Sequence, residues 1–175
     1  LRMEYRFLLR PGSDRLEVTT VLRNIGKFDR PCGIWSVAVL PTESIEKLEL
    51  PASRRFADVS AETARYWKNE GSFSALAVSD IPFDRLESVE RKSSDSRQLI
   101  RARLTSGELF TMEVPSDGPE AEFPNHVYAA RQFTELEFHS PIAELRENGE
   151  ITMREFWTLR APDREAKEAG TESRL

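Results

Sequence analysis

The sequence predicts an all-β protein, an antiparallel β-sandwich, on three observations. Period-two alternation of apolar and polar residues recurs along the chain, turn signals separate the alternating runs, and no amphipathic helical stripe lies between them. The first alternating run, Arg2 to Arg10, puts Met3, Tyr5, Phe7 and Leu9 on one face. Pro11-Gly12-Ser13 reads as a hairpin loop into the second, Asp14 to Asn24, where Leu16, Val18 and Leu22 share a face. Asn24-Ile25-Gly26 and Asp29-Arg30-Pro31 are turn-like. Gly33 to Leu40 follows as a strand with Trp35, Val37 and Val39 aligned, and Pro41 ends it.

Further strands are expected at Ile45 to Leu50, Ala64 to Trp67 and Phe73 to Val78. The charged, serine-rich stretch from Glu87 to Ser96 is expected to be a solvated loop. Arg97 to Thr105 and Glu108 to Val114 read as two strands joined by Ser106-Gly107. Pro124-Asn125-His126 reads as loop. Phe133 to His139 then alternates with Phe133, Glu135, Glu137 and His139 on one face and Thr134, Leu136 and Phe138 on the other. A Ser140-Pro141 break, a short run from Ile142 to Leu145 and an Asn148-Gly149 hairpin signal lead to a last strand, Glu150 to Leu159. From Ala161 to Leu175 the chain is densely charged, with Pro162 and Gly170 and no apolar stripe. The sandwich domain is therefore assigned to residues 1–160 and a charged tail to 161–175.

Composition narrows the function. Thirty acidic against 25 basic residues give a net charge of −5 with no basic stripe, so no nucleic-acid partner is expected. No run approaches the roughly 20 apolar residues of a membrane-spanning helix, so no membrane partner is expected either. The single cysteine, Cys32, excludes an internal disulfide and a multi-cysteine zinc site. Phosphate-binding glycine loops and a serine-hydrolase elbow are absent from the sequence. Residue 1 is leucine and opens directly into a strand, so the natural N-terminus is expected to lie further upstream; compartment, cytoplasmic or periplasmic, stays open.

The candidate site is the polar face of Phe133 to His139. Glu137 and His139 are the candidate catalytic pair, with Glu135 beside them; carboxylates two residues apart on a strand stand ~6.5 to 7 Å apart at the backbone, within the range of glycosidase pairs. The alternative reading places Glu135 and Glu137 on a solvated face, cross-strand from Arg131 or Arg154. Tyr66 and Trp67, flanked by Arg65 and Lys68-Asn69, read as an exposed aromatic platform for a ligand, while Trp157 shares a face with Ile151, Met153 and Leu159 and reads as core. Glu155 interrupts that face without an explanation in the sequence. Arg65 and Arg154 are candidate partners for a glutamate or for a ligand carboxylate. His126, Glu135, Glu137 and His139 together could bind a metal, but their spacing matches no known metal-ligand pattern, so no metal and no other cofactor is expected.

The order of these features (two alternating strands ending in Leu22-Arg23-Asn24, a turn with Pro31, a Trp35 strand, Glu135-Leu136-Glu137 followed by Ser140-Pro141, then Leu145, Asn148-Gly149-Glu150 and Trp157) resembles the galactose-mutarotase-like, or aldose 1-epimerase-like, supersandwich, and is most similar to an uncharacterised bacterial branch of that superfamily. The resemblance covers the first ~40 residues and the last ~40 before the tail. It implies that some strands of the family lie before residue 1 and that a concave sheet faces carbohydrate. It also implies that Glu137, which follows Leu136, matches the family's general base. The family's additional histidine falls on the strand matched at Gly33 to Val37; here that strand carries Trp35, and no histidine precedes His126. The function expected is therefore a carbohydrate-binding β-sandwich with a saccharide held on the polar face around Glu137. Alternatives are a sugar-active enzyme using Glu137, as an aldose epimerase or a carboxylate-based hydrolase or lyase, and an assembly domain forming a homo-oligomer through open sheet edges.

Overall fold

In the computed structural model, which describes residues 1–53, 55–58, 61–115 and 121–161, two antiparallel sheets turn most of their apolar rows toward each other. The rows of Met3, Tyr5, Phe7 and Leu9 and of Trp35 and Val39 face outward, and the Trp35 strand buries Ser36 and Ala38 instead. In chain order the strands are β1 (Arg2–Leu9), β2 (Arg15–Arg23), β3 (Arg30–Cys32), β4 (Trp35–Pro41), β5 (Ile45–Pro51), β6 (Phe56–Asp58), β7 (Trp67–Glu70) and β8 (Phe73–Ala77). They continue as β9 (Ser88–Ser93), β10 (Gln98–Leu104), β11 (Leu109–Val114), β12 (Asn125–Ala130), β13 (Phe133–His139), β14 (Ala143–Leu145) and β15 (Glu150–Arg160). A single helical turn, α1 (Ala61–Ala64), precedes β7. The larger sheet runs β1-β2-β15-β11-β10-β5-β8-β7, the smaller β4-β13-β12-β9-β6, and β14 pairs with β3.

The core lies between the two sheets. Ala38, Val89, Val127, Ala129, Leu136 and Phe138 from the smaller sheet meet Leu48, Leu50, Leu76, Ile100, Ala102, Met112 and Met153 from the larger one. Burying a side chain of this size contributes about 1.5–3 kcal/mol, so the inward rows fix the strand register: a one-residue slip would turn each row to the opposite face. Trp157 packs against this cluster, as its face predicts.

Turns follow their residue chemistry. Gly12 (φ 75°) and Gly107 (φ 98°) adopt left-handed backbone in the β1–β2 and β10–β11 hairpins. Asn148 does the same at φ 61°, but it does not close a hairpin. β14 pairs with β3 and β15 with β2, and the turn is instead clasped by Asn24, whose backbone exchanges hydrogen bonds with Asn148 (2.8 Å) and Gly149 (2.9 Å).

The structure departs from three of the expected elements. The stretch from Glu87 to Ser96 is not a solvated loop: it contains β9, paired to both β12 and β6, with Val89 fully buried. Its charged composition misleads because Arg91 points inward, donating to Ser74 Oγ at 2.8 Å and lying over the rings of Phe56 and Trp67. His126 is not in a loop but on β12. The run Ala64 to Trp67 is the end of α1 and a turn, with the strand beginning only at Trp67. The charged tail lies, from residue 162 on, outside the described residues. No helix among the described residues is long and apolar enough to cross a membrane.

Candidate functional site

The outer face of the smaller sheet, away from the core, gathers the chemistry. Registers place His139 opposite Trp35 and Glu137 opposite Val37 across β13 and β4, His126 opposite Glu137 across β12 and β13, and Lys92 opposite His126 across β9 and β12. Pairing thus gathers side chains of four strands on one face, with Glu137, His126 and Lys92 beside Val37 in one row and Trp35 and His139 in the next, because directly opposed residues share a face. Above these rows opens a cleft of about 800 Å³, lined by Trp35, Lys92, Phe123, His126, Glu137 and His139 together with the segments 33–34, 121–122 and 140–142. That is the size of a small-molecule site.

Glu137 is the centre of the cluster although it is 1% exposed. Its Oε2 accepts the indole N–H of Trp35 at 2.8 Å, and stands 3.1 Å from His139 Nε2 and 2.5 Å from His126 Nδ1. On its far side the His126 ring meets Glu90 Oε1, 2.8 Å from Nε2, and Lys92 Nζ lies 3.5 Å from that same oxygen. Neither contact of His126 is an aligned hydrogen bond. Burial would push the Glu137 carboxyl up, but the two imidazoles and the indole N–H outweigh it and hold the carboxyl at about 2. Glu137 is therefore ionised at neutral pH and a weak proton acceptor there.

Trp35 is the exposed member. It is 63% exposed, with its indole nitrogen tied to the buried carboxylate and the edge of His139 against it at 6.1 Å between centroids. The end of β13 is fixed as well: Ser140 Oγ accepts the amide of Ile34 at 2.7 Å, and Ser140 N donates to Ile34 O at 2.9 Å. The cleft wall beside Trp35 is thus held by both backbone and side chains.

Of the residues expected from sequence, the structure brings Glu137 and His139 together in the cleft. Glu135 lies on the same strand face, opposite Tyr128 and Val39, and does not line the cleft; burial and the nearby Glu137 charge raise its carboxyl above the ordinary range. The solvated-face alternative fails for Glu137, whose neighbours are His126 and Val37 rather than Arg131 or Arg154. Trp67 is not an exposed platform: it is 7% exposed and packed in the core, since its partner across the ladder is the fully buried Leu76. Tyr66 is half-buried against the same core, with Arg65 donating to its hydroxyl at 2.8 Å. Arg154 sits on the larger sheet, its Nε 3.2 Å from Glu17. None of these four lines the cleft.

The sequence did not point to Glu90, Lys92 or Phe123, offered Trp35 only as one of three tryptophans that could stack on a sugar, and misplaced His126. The signal for His126 was present, since His126 and Tyr128 alternate with Val127 and Ala129. Nothing comparable marked β9, where the inward row is Val89, Arg91 and Ser93.

No protein-family model matches the sequence, and no curated protein matches it. Solved structures do match in shape. A candidate aldose 1-epimerase of Klebsiella pneumoniae superposes at a TM-score of 0.65 and 11% identity, covering 97% of this chain and 48% of that one. The chain has the fold of the galactose-mutarotase-like sandwiches. A candidate aldose 1-epimerase of Escherichia coli K12 (TM-score 0.56, 13% identity, 90% of this chain and 60% of that one) and a galactose mutarotase-like protein of Lactobacillus casei (0.56, 12%, 90% and 68%) share it. The chain spans about half the length of the Klebsiella protein. At these identities the likeness to galactose-mutarotase-like proteins is one of fold.

Proposed function

We propose that this galactose-mutarotase-like sandwich binds a saccharide in the cleft over β4, β13, β12 and β9. The observation that carries the reading is Trp35, an exposed indole locked by a buried carboxylate at the mouth of the cleft. A fixed aromatic plane suits the C–H face of a sugar ring, and because Glu137 already holds the indole nitrogen, little side-chain freedom remains to be lost on binding. His139, Lys92 and Glu122 supply polar groups around it for hydroxyls. The names of the epimerase-like relatives point to the same ligand class.

The enzyme reading keeps one specific support. The Trp35 strand lacks the family's additional histidine, but His126 on β12 and His139 on β13 both touch Glu137 and could take its part. Binding remains the preferred reading because a carboxyl held at about 2 has little drive to take a sugar proton. Titration calorimetry against a panel of neutral and acidic mono- and oligosaccharides is expected to give heats that Trp35→Ala weakens about tenfold, which is about 1.4 kcal/mol, with no change in fold. Affinity unchanged in Trp35→Ala, or no saccharide bound at all, would discard the proposal. An NMR measurement of anomer interconversion separates the enzyme reading: a rate raised by the protein supports it, and an unchanged rate removes its epimerase form.

A further inference from the structure

We propose that His126, Glu137 and His139 form a binding site for one divalent transition-metal ion, zinc above all, at the floor of the cleft. The three donor atoms, His126 Nδ1, a Glu137 carboxylate oxygen and His139 Nε2, lie within 4.8 Å of one another. Ligand bonds of about 2.0–2.2 Å can span such a triangle, and two imidazoles with one carboxylate are a donor set that zinc accepts. The sequence names these three residues with Glu135 as a set that could hold a metal, but their spacing matches no ligand pattern. The site exists because β12 pairs with β13 and sets His126 directly opposite Glu137.

Two observations beyond the cluster point to a cation. His126 is a nine-tenths buried side chain whose ring nitrogens both lack an aligned hydrogen bond, with Nδ1 turned to Glu137. An imidazole nitrogen facing a carboxylate oxygen this closely needs an electropositive centre, either a proton at the 2.5 Å separation seen here or, with the two atoms moved apart, a metal ion. The second observation is Glu90, whose Oε1 stands 2.8 Å from His126 Nε2. A carboxylate behind the outer nitrogen of a histidine accompanies metal-bound histidines, and a small turn of the ring to align this contact would put the proton on Nε2 and leave Nδ1 free to ligate.

The electrostatics agree. Glu90 and Glu137 face the site with Lys92 as the opposing charge, 3.5 Å from Glu90, so the surroundings carry a net negative charge that a divalent ion would neutralise. Glu135 adds to it from the same strand face. The 2.5 Å contact is shorter than the ~3.3 Å edge of a zinc tetrahedron built from ~2.0 Å bonds, so the ion would push His126 Nδ1 and Glu137 apart as it enters. Three protein ligands leave the remaining position open toward the cleft, where water or a hydroxyl would complete the shell.

The site shares His139 and the cleft with the saccharide reading but does not depend on it, and zinc ion alone is the probe. Metal-stripped protein dialysed against zinc chloride and assayed by elemental analysis is expected to take up one equivalent, with micromolar or tighter affinity by competition with a chromophoric chelator. The cobalt-loaded protein is expected to show the visible absorption of a four- or five-coordinate ion. His139→Gln, at the half-exposed end of β13, is expected to abolish uptake while leaving the circular dichroism intact. Glu90→Gln, acting only through His126, is expected to weaken uptake by about 10–100-fold. Substoichiometric uptake, or one equivalent retained in both His139→Gln and His126→Asn, overturns the site. Saccharide titration of the metal-free and zinc-loaded forms keeps the two proposals separate, since zinc uptake without saccharide binding sinks only the earlier one, and saccharide binding without zinc uptake sinks only this one.

Discussion

Glu137 and Glu155 are the two glutamates buried to 1% exposure or less among the described residues, and each accepts an indole N–H, from Trp35 at 2.8 Å and Trp157 at 2.9 Å. Their environments push them in opposite directions. Glu137 meets two imidazoles on the outer face of the smaller sheet and is held at about 2. Glu155 sits on the inward row of β15 with Met153 and Trp157, where only Ser36 and Trp157 offer donors, and burial pushes its carboxyl up. One oxygen of Glu155 has no hydrogen-bond partner. Burial alone favours the neutral acid, and it takes basic partners to keep a buried carboxylate charged. The molecule thus separates a charged polar centre that faces a cleft from a polar seam that belongs to the core.

The largest expected effect follows from removing the charged member. Glu137→Ala strips the acceptor from Trp35 and leaves His126 and His139 without their shared partner, and a broken buried pair costs about 3 kcal/mol or more. Urea unfolding at neutral pH measures it. A loss below about 1 kcal/mol would mean that Glu137 behaves as a surface carboxylate and that the contrast with Glu155 is empty.

The second test uses pH on Glu155, the member whose carboxyl burial pushes up. With its folded pKa raised above the ordinary 4.5, Glu155 binds its proton more tightly in the folded state than in the unfolded one. Its stabilisation is therefore complete below the unfolded value and is lost as pH rises through the folded value. Glu155→Gln keeps an acceptor for Trp157 and cannot ionise. The stability of Glu155→Gln relative to the parent is expected to climb as the pH is raised from 4 to 8 in thermal unfolding. Parallel curves for the two proteins would show that burial does not govern Glu155.

The same two residues mark how far the sequence could be read. Alternation in Phe133 to His139 assigned both faces of β13 correctly, since Leu136 and Phe138 are fully buried and Glu137 faces the cleft. Period two reports which face a side chain takes, and local pattern suffices for that. Which residue stands opposite is a property of pairing, and pairing is non-local: His126 and Trp35 reach Glu137 across ladders from positions 11 and 102 residues away in the chain. β9 was hidden for another reason. Its inward Arg91 is tolerated because Ser74 and two aromatic rings receive the guanidinium, and no local rule anticipates that compensation. Glu155 has no explanation in the sequence for the same reason, being a polar residue on an apolar row whose donors, Ser36 and Trp157, come partly from another strand.

The smallest effect is the sharpest version of the comparison, because it makes one chemical change in both places. Trp35→Phe and Trp157→Phe each delete an indole N–H and keep an aromatic ring. A hydrogen bond to a charged acceptor contributes about 1.5–3 kcal/mol and one between neutral groups about 0.5–1.5. Trp35 donates to the ionised Glu137 and Trp157 to a glutamate that burial drives toward its neutral form. At neutral pH Trp35→Phe is therefore expected to cost about 2 kcal/mol and Trp157→Phe about 1, even though Trp35 is the exposed residue and Trp157 packs on the core. Burial taken alone predicts the opposite order. If Trp157→Phe is the costlier change in chemical denaturation, packing and not the charge on the acceptor sets the strength of these two bonds, and Trp35 loses its claim to be a platform fixed by Glu137.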